Sequence, residues 1–105
     1  MKYEYTRAFL ADLADLSKKS PEHLELVFAT LPKFIEAAER YVSDRGTAWP
    51  GALRVSQMKG HRSVWEVTWN FSGPDLRSTF EWVEIDGEPA VRWRRIGRHA
   101  IYTNP

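Results

Sequence analysis

Hydrophobic and polar positions along the 105-residue chain follow two periods in succession, helical up to Tyr41-Val42 and alternating from Leu53 onward. Lys2–Tyr5 alternates and leads into Thr6, which predicts a short strand running into a helix capped by the threonine hydroxyl. In that helix Phe9, Leu10, Leu13 and Leu16 fall at helical spacing, with Asp12 and Asp15 turned outward. Ser20-Pro21-Glu22 restarts a helix, with serine at the N-cap, proline at the first helical position and an acid against the dipole. Leu24, Val27, Phe28, Leu31, Ile35 and Ala38 continue one stripe towards Tyr41 and Val42. Pro32 removes the bond to the Phe28 carbonyl, so a kink or two abutting helices are expected there. The short link between the two segments predicts an antiparallel helical hairpin, whose apolar faces need a further layer to cover them.

In the second half, Leu53–Met58, Val64–Asn70, Leu76–Val83 and Pro89–Ile96 read as strands. Asp86-Gly87 between the last two is a strong hairpin turn. Alternation sets Trp65, Val67 and Trp69 against Glu66 and Thr68, and Leu76, Phe80 and Trp82 against Arg77, Thr79 and Glu81. Five tryptophans suggest a stacking platform for single-stranded nucleic acid. Trp65, Trp69 and Trp82 share parity with aliphatic neighbours, however, and are expected in the core. Trp93 stands among arginines and is the best candidate for an exposed ring, with core as the simpler reading. The fold expected is α+β, a single domain over 1–105 in which two N-terminal helices pack on a four- to five-stranded, mainly antiparallel sheet. Lys2–Tyr5 is expected to join that sheet beside a C-terminal strand.

Charge refines this picture. Lys and Arg number 15 and Asp and Glu 14, a net charge of +1, yet Arg92, Arg94, Arg95 and Arg98 fall within nine residues that hold no acid. Such a cluster suits a polyanion. The plainer reading pairs it across the sheet with Glu81, Glu84 and Glu88. The chain has no cysteine, which excludes disulfides and thiolate metal sites. No apolar run is long enough to span a membrane, and the start MKYEYTRAF has no apolar signal region, so a cytoplasmic protein without membrane contact is expected.

Histidine is the natural place to seek acid–base chemistry near neutral pH. His23 falls in the first turn of a helix, His61 in the loop Lys59-Gly60-His61-Arg62, and His99 just after the last strand, three residues before Tyr102. No pair of histidines has metal-ligand spacing, and no phosphate-binding glycine loop or nucleophile elbow occurs, so neither metal nor cofactor is expected.

The order of helix, helix and strands, followed by Lys59-Gly60, Arg77-Ser78-Thr79-Phe80 and Arg95-Ile96-Gly97-Arg98-His99, resembles the RelE/ParE toxin superfamily over nearly the whole chain, most closely its RelE-like branch. The resemblance implies a toxin of a toxin–antitoxin pair, a ribosome-dependent endoribonuclease that cuts mRNA without metal and is held inactive by a cognate antitoxin. Its partners would be that antitoxin, the ribosome and mRNA. By resemblance Lys59 and Arg77 grip the scissile phosphate, His99 takes part in proton transfer, and Tyr102 lies near a tyrosine used by other members. His61, Arg62, Arg95 and Arg98 are the expected RNA contacts. Some members carry a carboxylate just before the lysine, where this chain has Ser56-Gln57-Met58. That departure moves the base elsewhere, to a histidine, or marks an inactive partner-binding relative. ParE-like members, which bind DNA gyrase without acid–base chemistry, provide the other alternative.

Overall fold

The computed structural model describes residues 1–61, 63–69 and 76–105, with only the backbone of His99. The elements follow as β1 (Lys2–Tyr5), α1 (Arg7–Lys19), α2 (Pro21–Ser43), β2 (Val55–Gln57), β3 (Trp65–Trp69), β4 (Leu76–Ile85), β5 (Glu88–Gly97) and a closing 3₁₀ helix (His99–Thr103). The strands form one sheet in the order β1-β5-β4-β3-β2. β1 is parallel to β5, and the remaining pairs are antiparallel. The α+β architecture is as expected, and the first strand does lie beside the last.

Local chemistry explains where the elements start and stop. The Thr6 hydroxyl caps α1 by accepting from the Phe9 N–H at 3.0 Å. Ser20 alone separates the helices, and its N–H closes α1 on the Leu16 carbonyl at 2.8 Å. α2 runs through Pro32 as one element, so the expected division into two helices does not occur. Burial on both sides of the proline outweighs one missing backbone bond. The buried stripe keeps Val27 and Ala38 of the expected one, with Leu31 packed beside them. It gains Phe34 and Ala37 and loses Phe28, which is 55% exposed.

Leu53–Met58 shortens to three strand residues because Arg54 takes a φ of 45° and leaves the ladder. The Leu53 carbonyl still accepts from the Thr68 N–H at 3.1 Å. Asp86 and Gly87, with φ of 53° and 78°, form the tight turn expected of that pair, and the two long strands beyond it run in register from Ile85–Glu88. The predicted end of the third strand, Asn70, lies outside the described residues.

Both helices bury their stripes against one face of the sheet. Phe34, fully buried, is the centre of that layer. Its ring lies 4.9 Å from Trp93, 5.3 Å from Phe80, 5.8 Å from Trp49 and 6.2 Å from Trp69, centroid to centroid. Trp93 is therefore a core residue and not an exposed platform. Trp69 is also buried and donates its indole N–H to Ser78 at 2.8 Å, while Trp65 and Trp82 pack half-buried at the margin.

One irregularity controls what β5 presents to each side. Thr79 and Phe80 are neighbours on β4, yet they face Arg95 and Trp93, so Arg94 is an extra residue in β5. The bulge sends Trp93 and Ile96 into the core although they are three residues apart, and leaves Arg94 and Arg95 to the other face. Thr6 fixes it from β1's end: its N–H donates to the Trp93 carbonyl at 3.0 Å and its hydroxyl to the Arg94 carbonyl at 2.6 Å.

Phe34→Ala should cost about 3–5 kcal/mol, because four aromatic rings lose their common contact. Denaturant unfolding with an unchanged m-value checks this. Burial, with help from Glu39 and Tyr5, pushes the Tyr3 phenol up to about 12. Its raised folded value means that the stability it contributes is present below its unfolded value of about 10 and is lost as pH climbs towards 12. Tyr3→Phe should flatten the fall in melting temperature across that alkaline window. It should cost little at neutral pH, since the hydroxyl is buried with no hydrogen-bond partner among the described residues.

Candidate functional site

On the sheet face away from the helices, alternation across β3, β4 and β5 aligns polar side chains. Thr68 faces Arg77, Arg77 faces Gly97, and Glu66 faces Thr79. Just beyond Gly97 the chain turns back as the 3₁₀ helix and lies against this face. Gly97 is needed at the turn, because a Cβ there would stand 2.9 Å from the Ile101 side chain. Ile101 is 2% exposed and anchors the turn, which brings Tyr102 over the sheet.

The result is a three-membered cluster. Arg77 donates to the Tyr102 hydroxyl and holds its guanidinium carbon 5.4 Å from the centre of the Tyr102 ring. The hydroxyl in turn donates to Glu66 Oε2 at 2.8 Å. Burial raises the phenol above its ordinary range; the Arg77 hydrogen bond opposes this and Glu66 reinforces it. Tyr102 is thus a neutral phenol between a cation and a carboxylate, able to pass a proton along the line. All three side chains are half-buried, so solvent still reaches them.

The other expected site residues are distributed differently. Lys59 and His61 are exposed in the β2–β3 loop, where Gly60 adopts a φ of +85°. The last β2–β3 pair is Gln57 with Trp65, whereas Arg77 faces Thr68 near the opposite end of β3. With about 3.4 Å per residue and about 4.8 Å per strand, Lys59 and Arg77 lie on the order of 20 Å apart. Arg62 and the side chain of His99 lie outside the described residues, and the His99 backbone opens the 3₁₀ helix two residues after Gly97.

The arginine cluster is largely occupied. Arg95 holds Asp12 of α1 through Nε at 2.7 Å and Nη2 at 3.1 Å, and donates to the Asn104 carbonyl at 2.9 Å. Asp12, expected to point outward, instead also accepts from the Ile96 N–H at 3.1 Å, where β1 has ended and left β5 an open edge. Arg92 bridges Glu4 and Glu81, and Arg94 reaches Glu81 and the Pro105 carbonyl. Arg98 donates to His23 Nδ1 at 3.1 Å, away from this face. The expected pairing with acids is therefore real, but its partners are Glu81, Glu4 and Asp12, not Glu84 or Glu88.

Glu66 is the member that sequence reasoning passed over. Alternation had already placed it on the face of Arg77, but only the strand register makes it a neighbour. Among the described residues no group of His, Asp and Glu is placed to hold a metal ion. No helix among them is long and apolar enough to cross a membrane.

The fold has solved counterparts. A YoeB/ParE toxin from Agrobacterium tumefaciens superimposes with a TM-score of 0.57 at 13% identity, covering 94% of this chain and 99% of that one. Two hypothetical proteins of Helicobacter pylori match as well. HP0894 has a TM-score of 0.52 at 16% identity and HP0892 a TM-score of 0.52 at 20%, each covering 95% of this chain and 96% of its own. No family model matches the sequence, and no curated protein does. The architecture is therefore a fold shared with a solved YoeB/ParE toxin, which is the fold the resemblance implied.

Asp12→Ala should lower stability by about 1.5–3 kcal/mol, since it leaves a guanidinium and a strand-edge N–H without their shared acceptor. Arg95→Ala should show a comparable loss in thermal melts. An unchanged melt combined with weakened RNA binding would instead assign Arg95 to the ligand.

Proposed function

We propose that this protein is the toxin of a toxin–antitoxin pair and cleaves mRNA on the ribosome by acid–base chemistry. The observation that carries the reading is the Arg77–Tyr102 contact on a solvent-reachable face, within a fold shared with a YoeB/ParE toxin. RNA cleavage of this kind needs a base for the 2′-hydroxyl, an acid for the departing 5′-oxygen and a cation for the charge that develops on phosphorus. A guanidinium suits the last task, because its fork donates to two phosphate oxygens at once. Arg77 takes that role, and His99, in the adjoining turn, protonates the 5′-oxygen. The products are a 2′,3′-cyclic phosphate and a 5′-hydroxyl.

The separation of Lys59 from Arg77 divides the work. Lys59, with His61 and Arg62, meets the RNA backbone at another phosphate, and Arg98 extends the contact from the far end of the turn. Arg95 serves mainly by holding α1 to β5. The site of action is the cytoplasm, where ribosomes are. The antitoxin covers the apolar opening between the helices, a cavity of about 280 Å³ rimmed by Tyr5, Leu10 and Phe28, each more than half exposed.

Primer extension on message from an in-vitro translation reaction tests the reading. Cuts within codons of translated message support it. Intact message together with altered plasmid topology would favour the gyrase-binding alternative. Arg77→Ala should slow single-turnover cleavage by about 10²–10³, as for loss of one oxyanion-type donor. His99→Gln should slow it by about 10²–10⁴ while RNA binding persists.

A further inference from the structure

Resting on the ribonuclease reading, we propose that Glu66 accepts the 2′-hydroxyl proton, relayed through Tyr102. This supplies the carboxylate that Ser56-Gln57-Met58 does not. In the step, the 2′-O–H bond breaks and its proton moves to the Tyr102 oxygen as the phenolic proton moves to Glu66. The freed 2′-oxygen forms its bond to phosphorus, and the bond from phosphorus to the 5′-oxygen breaks. The 5′-oxygen takes a proton from His99, and Glu66 later releases its own to water. No oxidant or further reactant enters the balance.

Three observations carry the assignment. First, the line is already assembled: the Tyr102 hydroxyl donates to Glu66 at 2.8 Å while receiving Arg77. Direct contact between Glu66 and Arg77 is not required, since Arg77 faces Thr68 and Glu66 sits diagonally, two residues back along β3. Cross-strand diagonal neighbours stand about 7–8 Å apart, and Tyr102 fills that gap. Second, the neutral phenol is the stable form here, so Tyr102 needs an acceptor behind it before it can take a proton. Third, Glu66 is the only carboxylate in that cluster among the described residues. Tyr102 from the 3₁₀ helix touches it directly, and Arg77 from β4 stands one hydrogen bond further along the line. Across β2 it faces Ser56, and across β4 Thr79. Glu81 on the same face is engaged by Arg92 and Arg94.

Because Glu66 acts through Tyr102, rate alone does not separate a proton acceptor from a brace. The test is single-turnover cleavage of mRNA on programmed ribosomes by wild type, Glu66→Gln, Tyr102→Phe and the double variant, between about pH 6 and 8.5, with matched melts. Gln keeps an acceptor for the Tyr102 hydroxyl but cannot take its proton. Glu66→Gln should bind ribosomes as wild type does and melt within a degree or two of it. It should cleave about 10²–10⁴ more slowly. Relative to wild type at the same pH, its rate should rise about tenfold per pH unit, because hydroxide must then remove the 2′-proton, while the His99 acid bends both profiles alike. The double variant should be no slower than the slower single one, as groups acting as a unit are not additive.

Wild-type cleavage with Glu66→Gln equally fast overturns the relay alone. So does a slower Glu66→Gln whose pH dependence is that of wild type, which would make Glu66 a brace for Tyr102. Intact message with the wild-type protein overturns the relay and the ribonuclease reading together.

Discussion

The single extra residue in β5 is the constraint on which the rest depends. Without Arg94 in the bulge, strand alternation would place Trp93 and Ile96 on opposite faces, and one of them would leave the core. With it, Trp93 meets Phe34 and Phe80 while Ile96 packs beneath α1's side of the sheet. The same shift aligns Gly97 with Arg77, so the chain can turn there and set Tyr102 on the sheet. Core packing and site assembly are two consequences of one irregularity in register.

Polar atoms on the helix-free face are arranged to satisfy one another. Glu4, Arg92, Glu81 and Arg94 form a chain of charge that ends on the Pro105 carbonyl. Individual pairs this exposed contribute little to stability. Their effect is to occupy the arginines, so that a run of cations in sequence is not a run of unpaired cations in space. The Asp12–Arg95 pair is better shielded, at 18% and 23% side-chain exposure, and it closes the edge that β1 leaves uncovered. The proposed site then stands out by composition rather than by net charge: a cation, a phenol and a carboxylate in hydrogen-bonded order.

Shared architecture at 13–20% identity speaks to the fold, and one fold carries many functions. Function here has to be argued from the site, which is why the Arg77–Tyr102–Glu66 line has more weight than the superposition. The half-buried setting matters for the chemistry as well. It keeps Tyr102 neutral and within a network, while the cluster is still open to solvent.

Periodicity alone determined the helical half, the strand-rich half, the Thr6 cap and the Asp86-Gly87 turn, because each follows from steric and hydrogen-bonding preferences within a few residues. It also placed Arg77 and Glu66 on the polar face, since side-chain direction alternates along a strand regardless of the partner. Tertiary structure decided the rest. Phe34 and not Phe28 became the centre of the core, because the angle at which a helix settles is set by the surface it meets. Asp12 turned inward to a strand edge exposed by the early end of β1, and Pro32 was tolerated within a helix held on both sides. Trp93 was buried by a bulge that shows only once β4 and β5 are aligned. Glu66 reached Tyr102 across residues 36 positions apart, a contact that depends on register and on the turn at Gly97, and neither is a local property of the chain.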